Sequence, residues 1–280
     1  MSAETKAIIK EFVTNSKSSL KEFFSEFSKK HSRKPSICIV QVGENKASES
    51  YIKGKVKDGT EMDVNMCVVR FPGNISEEDF LKELKRMNEF DGYDGIMVQL
   101  PVPKQINVEK INMTLDPKKD VDGFTKTSEC DPCTPLGILK FLENMKVEVS
   151  GKNAVVIGRS EIVGKPMAKM LLDKNCTVTV CHSKTPKEEL KRYVENADII
   201  VVAAGKRGIL NNEFKFKRDC VIMDVGINVD EDNHLHGDCE GELPVKFQSP
   251  VPGGVGLLTR LALFFNLKKL IEDKKDNGKL

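Results

Sequence analysis

The sequence has no tryptophan and only 3 tyrosines among its 280 residues. Its 44 basic residues stand against 42 acidic ones, a net charge of +2. A nucleic-acid binder needs a basic surface, commonly with rings that stack on bases, so nucleic acid is not an expected partner. Long apolar runs are missing too. No stretch of about 18 apolar residues is available to span a membrane. The N-terminal "MSAETKAIIKEFVTNSKSSLKEFF" mixes charges into its apolar positions, where a secretory signal has a continuous apolar core. The expectation is a cytoplasmic protein with no membrane partner. Metal-ligand spacing is also lacking. "CDPC" (130–133) has C-x-x-C spacing without a second pair, and "HLHGDCE" (234–240) adds only two histidines. No metal is expected. The 8 cysteines lie mostly in or beside apolar runs, as Cys38, Cys67, Cys181 and Cys220 do, and read as reduced, mostly buried thiols.

What is present is an alternation. Short β-branched runs occur at 36–43, 66–73, 94–101, 153–158, 177–183, 197–205 and 220–228, separated by segments with helical spacing. Most runs are apolar on both faces, as parallel strands covered by helices on each side must be. The alternation predicts an α/β architecture with crossover helices. The runs fall into two groups, one ending near "PKKDVDGF" (117–124) and one beginning at Asn153. Between them Pro135 suits the first turn of a bridging helix. A last helix is predicted from about Val255 to Glu272, followed by a solvated, fraying charged tail. Ligands of open parallel sheets bind beyond the carboxyl ends of the strands. Two such sheets facing a common cleft would bring two ligands together.

The usual dinucleotide fingerprint, G-x-G-x-x-G, is absent. In its place, after the run "NAVVI", stands "GRSEIVGKP" (158–166). Gly158 permits a tight turn at a strand end. Gly164 opens a helix whose free N–H groups and dipole suit a pyrophosphate. An ordinary glycine-turned β–loop–α connection would look the same. An NAD site places a carboxylate at the end of the next strand. That place reads "CHSKT", with His182, Ser183 and Lys184, and Arg159 lies opposite. A basic corner with hydroxyls favours a 2′-phosphate, hence NADP over NAD. Ala203, Ala204 and Gly205 end another strand with side chains small enough for a flat ring, or for tight helix packing. "DVGIN" (224–228) ends the next and offers Ile227 to a nicotinamide.

The first group carries a different set. Tyr51 and Lys55 are four apart on a predicted helix at 46–62, hence on one face. A lysine in a dry cleft can lose its proton more easily and act as a proton carrier. Gln99, at a strand end, can steer a polar ligand or Lys55. Asp122 either accepts bonds from a heterocycle or caps its own turn. The Pro–Gly loop "SPVPGGVG" (249–256) either covers a flat ring or simply starts a helix.

Taken in order, "YIKGK", "VQLPVP", "KDVDGF", "PCTPLG", "VIGRSEIVGKP", "VCHSKT", "DVGIN" and "PVPGGVG" resemble the bifunctional methylenetetrahydrofolate dehydrogenase/cyclohydrolase family. The resemblance runs from about Pro35 to Thr259. It implies two α/β domains around a cleft, the second a Rossmann-like parallel sheet with helices on both faces. The folate-binding catalytic domain would comprise residues 1–125 and 255–280, and the NADP-binding domain 126–254. Lys55 is then the proton-handling residue of the cyclohydrolase step, Tyr51 stacks on the folate, Gln99 positions Lys55 and substrate, and Asp122 binds the pterin. Leu100, Pro252, Gly253 and Gly254 complete the folate site. Thr134, Gly158, Arg159, Ser160, Ile162, Val163, Gly164, His182, Ser183, Lys184, Ala204, Gly205, Gly226, Ile227 and Thr259 surround NADP. The resemblance further implies a homodimer formed through the nucleotide domains.

The chain departs from the family's pattern in places. After "PVPGGVG" a Pro-Met-Thr is usual, and here Leu257, Leu258, Thr259 and Arg260 follow. The stretch after Lys55, "VKDGTEMDV", lacks the usual Ala/Cys-rich helix, and Cys239 stands where valine is common. No residue with an implied chemical role is lost. Competing expectations are a dehydrogenase without useful cyclohydrolase activity, a related two-domain dehydrogenase for shikimate or a hydroxy acid, and a nucleotide-binding regulatory module.

Overall fold

The structure, a computed structural model, describes residues 2–276. The chain divides into two compact units. One comprises Asn15–Cys133 and Arg260–Leu280, the other Met1–Thr14 and Thr134–Thr259. They are called the first and second unit below.

The first unit is built on helix α1 (Ser2–His31, begun in the second unit), strand β1 (Ser36–Val42), α2 (Lys46–Glu61), β2 (Asn65–Phe71), α3 (Glu77–Glu89), β3 (Gly95–Val98) and α4 (Val108–Thr114). Its sheet has the order β2-β1-β3, with both pairings parallel. The central strand β1 is buried along its whole length, whereas β2, at an edge, is only half covered. That difference is why "SICIVQV" is mostly apolar, with only Ser36 and Gln41 polar and neither charged, and "NMCVVRF" admits Asn65 and Arg70. Val40, Phe80, Leu84, Ile96 and Ile111 lie in one apolar cluster. Full burial of each is worth about 1.5–3 kcal/mol, against at most about 1 kcal/mol for a surface ion pair. The core therefore sets the sheet's place, and surface charges decorate it.

The second unit continues with α5 (Cys133–Asn144), β4 (Asn153–Ile157), α6 (Gly164–Asp173), β5 (Thr177–Cys181), α7 (Lys187–Glu195), β6 (Ile199–Val202), β7 (Val221–Asp224), β8 (Asn228–Val229), β9 (Leu235–His236) and β10 (Phe247–Gln248). Helix α8 (Val255–Asp276) begins here and passes into the first unit at Arg260. The sheet order is β10-β7-β6-β4-β5, all parallel. Strand β4 sends the chain to β5 on one side and later to β6 on the other. The strand order therefore reverses between β4 and β6, which is where doubly wound sheets bind nucleotides.

All seven expected strands are present, each in a parallel sheet, and α2, α6 and α8 lie where helical spacing predicted them. Pro135 occupies the first turn of α5 as expected. The N-terminal stretch, read only as lacking a signal, is a 30-residue helix whose Ile9, Phe12, Val13, Leu20, Phe24 and Phe27 are buried. The charged tail is helical as far as Asp276 rather than frayed from Glu272. Residues 277–280 of that tail lie outside the described residues.

Candidate active site

In the first unit, Asn45 caps α2 by accepting a hydrogen bond from the Ser48 N–H at 3.0 Å. The cap fixes where the helix starts, and with it the face that carries Tyr51 and Lys55. Lys55 is 7% exposed. Its Nζ donates to Gln99 Oε1 at 3.0 Å and touches Met97 Sδ at 3.4 Å. Gln99 continues the β3 ladder, its N–H bonded to the Val40 carbonyl at 2.8 Å, and its Nε2 donates to Leu100 O at 2.8 Å. Its amide is thereby oriented with the oxygen toward the lysine. Burial pushes the Lys55 amine below the ordinary lysine range, while Asp122 and Cys133 pull it back up and Arg260 adds to the lowering. The result is an amine able to exchange a proton closer to neutrality than a surface lysine can.

Asp122 was open to two readings, ligand-binding or turn-capping. The capping in this turn is done by its neighbour Asp120, whose carboxylate accepts from the N–H groups of Asp122, Phe124 and Thr125 at 3.3, 2.8 and 2.7 Å. The Asp122 carboxylate instead bears on Lys55 and on the Cys133 thiol. That thiol, the first residue of α5, is buried and pushed well above the usual thiol range by burial and by Asp122. It is a neutral wall of the site. Cys130 and Cys133 are both buried free thiols. Tyr51 is half-buried one turn before Lys55.

In the second unit, Gly158 follows β4 with φ of 132°, and a Cβ there would lie 2.2 Å from the Ala203 carbonyl oxygen at the end of β6. A Cβ on Gly164 would lie 2.4 Å from Gly158 O. Both glycines are thus required for the loop to fold back on itself, beyond any ligand. Ser160 Oγ accepts from the N–H groups of Val163 and Gly164 at 3.2 and 3.3 Å, capping α6. A cavity of about 620 Å³ opens beyond the ends of β4, β5 and β6. Gly158, Arg159, Ser160, His182, Ser183 and Ala204 line its polar side, and Leu190, Ile209 and Phe214 give it an apolar wall. His182 Nδ1 accepts from Lys184 N–H at 3.2 Å, which orders the corner after β5. Size, apolar slot and basic corner fit a phosphorylated dinucleotide; the first-turn N–H groups of α6, expected to be free, are taken, that of Gly164 by Ser160 Oγ and that of Lys165 by the Ser160 carbonyl at 3.0 Å.

Of the remaining expected residues, Thr134 and Thr259 meet, with hydroxyls 3.0 Å apart. Ile162 and Ile227 are exposed, Gly205 is exposed, and Gly226 is buried. Pro252 and Gly253 are exposed while Gly254 is packed against the Pro250 carbonyl, and all three belong to the second unit. The histidines of "HLHGDCE" face Asp230, with His236 Nε2 2.7 Å from its carboxylate. Among the described residues no cluster of three or more His, Cys, Asp or Glu is arranged to hold a metal, and no helix is long and apolar enough to cross a membrane.

Residues 4–122 match the catalytic domain of tetrahydrofolate dehydrogenase/cyclohydrolase, and residues 132–275 match its NAD(P)-binding domain. The chain belongs to the tetrahydrofolate dehydrogenase/cyclohydrolase family. The Bifunctional protein FolD of Enterococcus faecalis is 42% identical over 253 residues, 86% of this chain and 89% of that protein. The crystal structure of the bifunctional FolD enzyme of Campylobacter jejuni superposes with a TM-score of 0.88 at 36% identity, covering 95% of this chain and 98% of that one. The FolD of Trypanosoma brucei, solved with NADP cofactor and an inhibitor, gives 0.85 at 29% identity, covering 98% of this chain and 96% of that one.

In this family member, sequence reasoning missed the residues that hold the site up. Asp224 and Asp238 are both buried. Asp238 accepts from the N–H groups of Ala204 and Gly205 at 2.7 and 2.9 Å, and Asp224 from those of Gly226, Asp238 and Cys239 at 3.0, 2.9 and 2.9 Å. Together they fix the loops that follow β6 and β7. Their signal was faint. Asp224 ends an apolar strand, where an acidic residue needs a reason, and Asp238 sat in a stretch read only for metal.

Proposed function

We propose that the chain oxidises 5,10-methylenetetrahydrofolate with NADP+ and hydrolyses the resulting 5,10-methenyltetrahydrofolate to 10-formyltetrahydrofolate. The observation that carries this reading is the buried Lys55 amine, bonded to Gln99 and flanked by Asp122. Asp122 accepts hydrogen bonds from the pterin's adjacent N–H donors. Tyr51 offers its ring to the substrate's flat core, and Leu100 covers it. NADP+ supplies the hydride acceptor when bound. The residues of the chain then need only hold two rings in register, which is catalysis by orientation. The methenyl product is a cation, and water attacks it. Lys55 carries the proton that opens the ring.

The coenzyme is assigned to the second unit. Arg159 and Ser183 line the cavity and are exposed, Lys184 is exposed next to Ser183 in the chain, and no Asp or Glu is among the residues lining the cavity, which supports NADP over NAD. The folate is assigned mainly to the first unit. The active form is a homodimer through the second unit, supported by the open edge of β5 and the exposed Val180 and Leu172 beside it. Eight free thiols fit the reducing cytoplasm.

The test is turnover. With 5,10-methylenetetrahydrofolate and NADP+, absorbance should report NADPH and a transient methenyl species. In Lys55→Met the methenyl species should accumulate, its hydrolysis slowed by about 10²–10⁴-fold. No turnover with either nicotinamide coenzyme refutes the proposal, and undiminished hydrolysis in Lys55→Met refutes the role of Lys55.

A further inference from the structure

Helix α2 carries a second ionic group one turn beyond Lys55. Asp58 is buried. Its carboxylate is bound by Lys17 Nζ on one oxygen and lies 2.8 Å from Arg260 Nε on the other. Lys17 also reaches Glu61, which is exposed to water. The Arg260 side chain crosses from α8 and lies against α2 at Gly54. A Cβ at Gly54 would meet Nη1 at 2.4 Å, Cζ at 3.1 Å and Cδ at 3.2 Å. A glycine inside a helix costs about 0.5–1 kcal/mol relative to alanine. Here the missing side chain makes room for a cation beside the backbone of Lys55.

We propose that Arg260 is a positioning residue for methenyl hydrolysis: moored to Asp58 over Gly54, its guanidinium is a fixed positive charge that eases the release of the Lys55 proton. The inference rests on reading Lys55 as the proton carrier. The groups facing Lys55 are Gln99 and Met97 from β3 and its end, Asp122 from the turn, Cys133 from α5 and Arg260 from α8. Tyr51 and Asp58 flank it on its own helix. Asp122 is the negative neighbour, and it favours the ammonium. Arg260, permanently charged, opposes it. The Asp58 carboxylate is matched by Lys17 as well as by Arg260, so it anchors the guanidinium without depending on it. The same guanidinium also bears on Tyr51, opposing the upward push of burial on the phenol.

The experiment is the pH–rate profile of 5,10-methenyltetrahydrofolate hydrolysis in wild type, Arg260→Leu, Arg260→Lys and Gly54→Ala. Loss of the cation makes the Lys55 ammonium harder to deprotonate, so the limb reporting Lys55 should move to higher pH in Arg260→Leu and stay in place in Arg260→Lys. Gly54→Ala keeps the arginine but pushes its flexible end off α2, and its limb should also rise. This variant guards against misfolding of Arg260→Leu, because alanine favours the helix. A purely structural Arg260 would lower the rate alike at every pH. Superimposed limbs in Arg260→Leu and Gly54→Ala overturn the inference. Lys55→Met separates the two failures. If it hydrolyses normally, the Lys55 reading falls. If it is inactive while the limbs do not move, only the role of Arg260 falls.

Discussion

Asp120 and Asp122 stand two residues apart in one turn and do different work. Asp120 satisfies backbone N–H groups, and Asp122 faces the lysine. Spacing could not divide these tasks, because either aspartate can cap a turn. The resemblance to a known family chose Asp122, and the hydrogen bonds explain why that side chain is spared from capping. Glycines show the same two-sidedness. Gly158 looked like a phosphate-binding glycine, yet its first obligation is to the Ala203 carbonyl. Gly158→Ala should therefore lose stability as well as coenzyme. Overpacking costs about 1–3 kcal/mol, and holding a non-glycine residue at φ of 132° costs about 1–3 kcal/mol more. Gly151 provides the control. It has φ of 73° but nothing within 4 Å of its Cβ position. Thermal unfolding should show a clearly larger loss for Gly158→Ala than for Gly151→Ala, and isothermal titration calorimetry should show weakened NADP+ binding only in the former. Equal losses would mean that the Ala203 contact is unimportant.

At the scale of elements, buried strands were the most legible feature, because a strand covered on both faces carries few polar positions, such as Gln41 in β1 and Asp224 in β7, to confuse it. β1, β3, β4, β6 and β7 were read from continuous apolar runs. The pieces that were missed are short or lie outside that logic. β8 and β9 are two residues each, paired through a polar turn, and β10 is also two residues. Their pairing follows from the fold around them rather than from any local pattern. The loop after β5 was read for its chemistry and not for its shape. His182 accepts the Lys184 N–H, and the His182 N–H donates to Thr185 Oγ1 at 2.9 Å, so the corner is a built turn that presents Ser183 and Lys184 outward. If this corner and Arg159 select the 2′-phosphate, Arg159→Ala with Ser183→Ala should raise the KM for NADP+ by about tenfold or more and leave that for NAD+ nearly unchanged. Two charge-assisted bonds are lost at about 1.5–3 kcal/mol each before solvent screening. A parallel rise for both coenzymes would remove these residues from phosphate recognition.

On the scale of the whole molecule, each sheet has edges to manage. In the first unit β3 is an edge strand, yet it is buried and a parallel bridge from Ile96 to Asp120 covers its open side. In the second unit β10 is only two residues long. Two longer edges remain, β2 of the first unit with seven residues and β5 of the second with five; β5 carries Val180, 40% exposed, and α6 beside it carries Leu172, 61% exposed. Nature seldom leaves such a strand bare, since an open edge invites pairing with another chain. A second copy of the same chain is the partner that closed symmetry favours. The chain should therefore sediment as a dimer at micromolar concentration. Val180→Glu with Leu172→Glu should shift it to monomer and leave its thermal midpoint nearly unchanged, because both side chains already meet water in the monomer and surface substitutions rarely exceed about 0.5 kcal/mol. A monomeric wild type, or a double variant that stays dimeric, would move the contact away from this edge. If the monomeric variant still oxidises 5,10-methylenetetrahydrofolate at the wild-type rate, each copy carries a complete site and catalysis does not need the dimer.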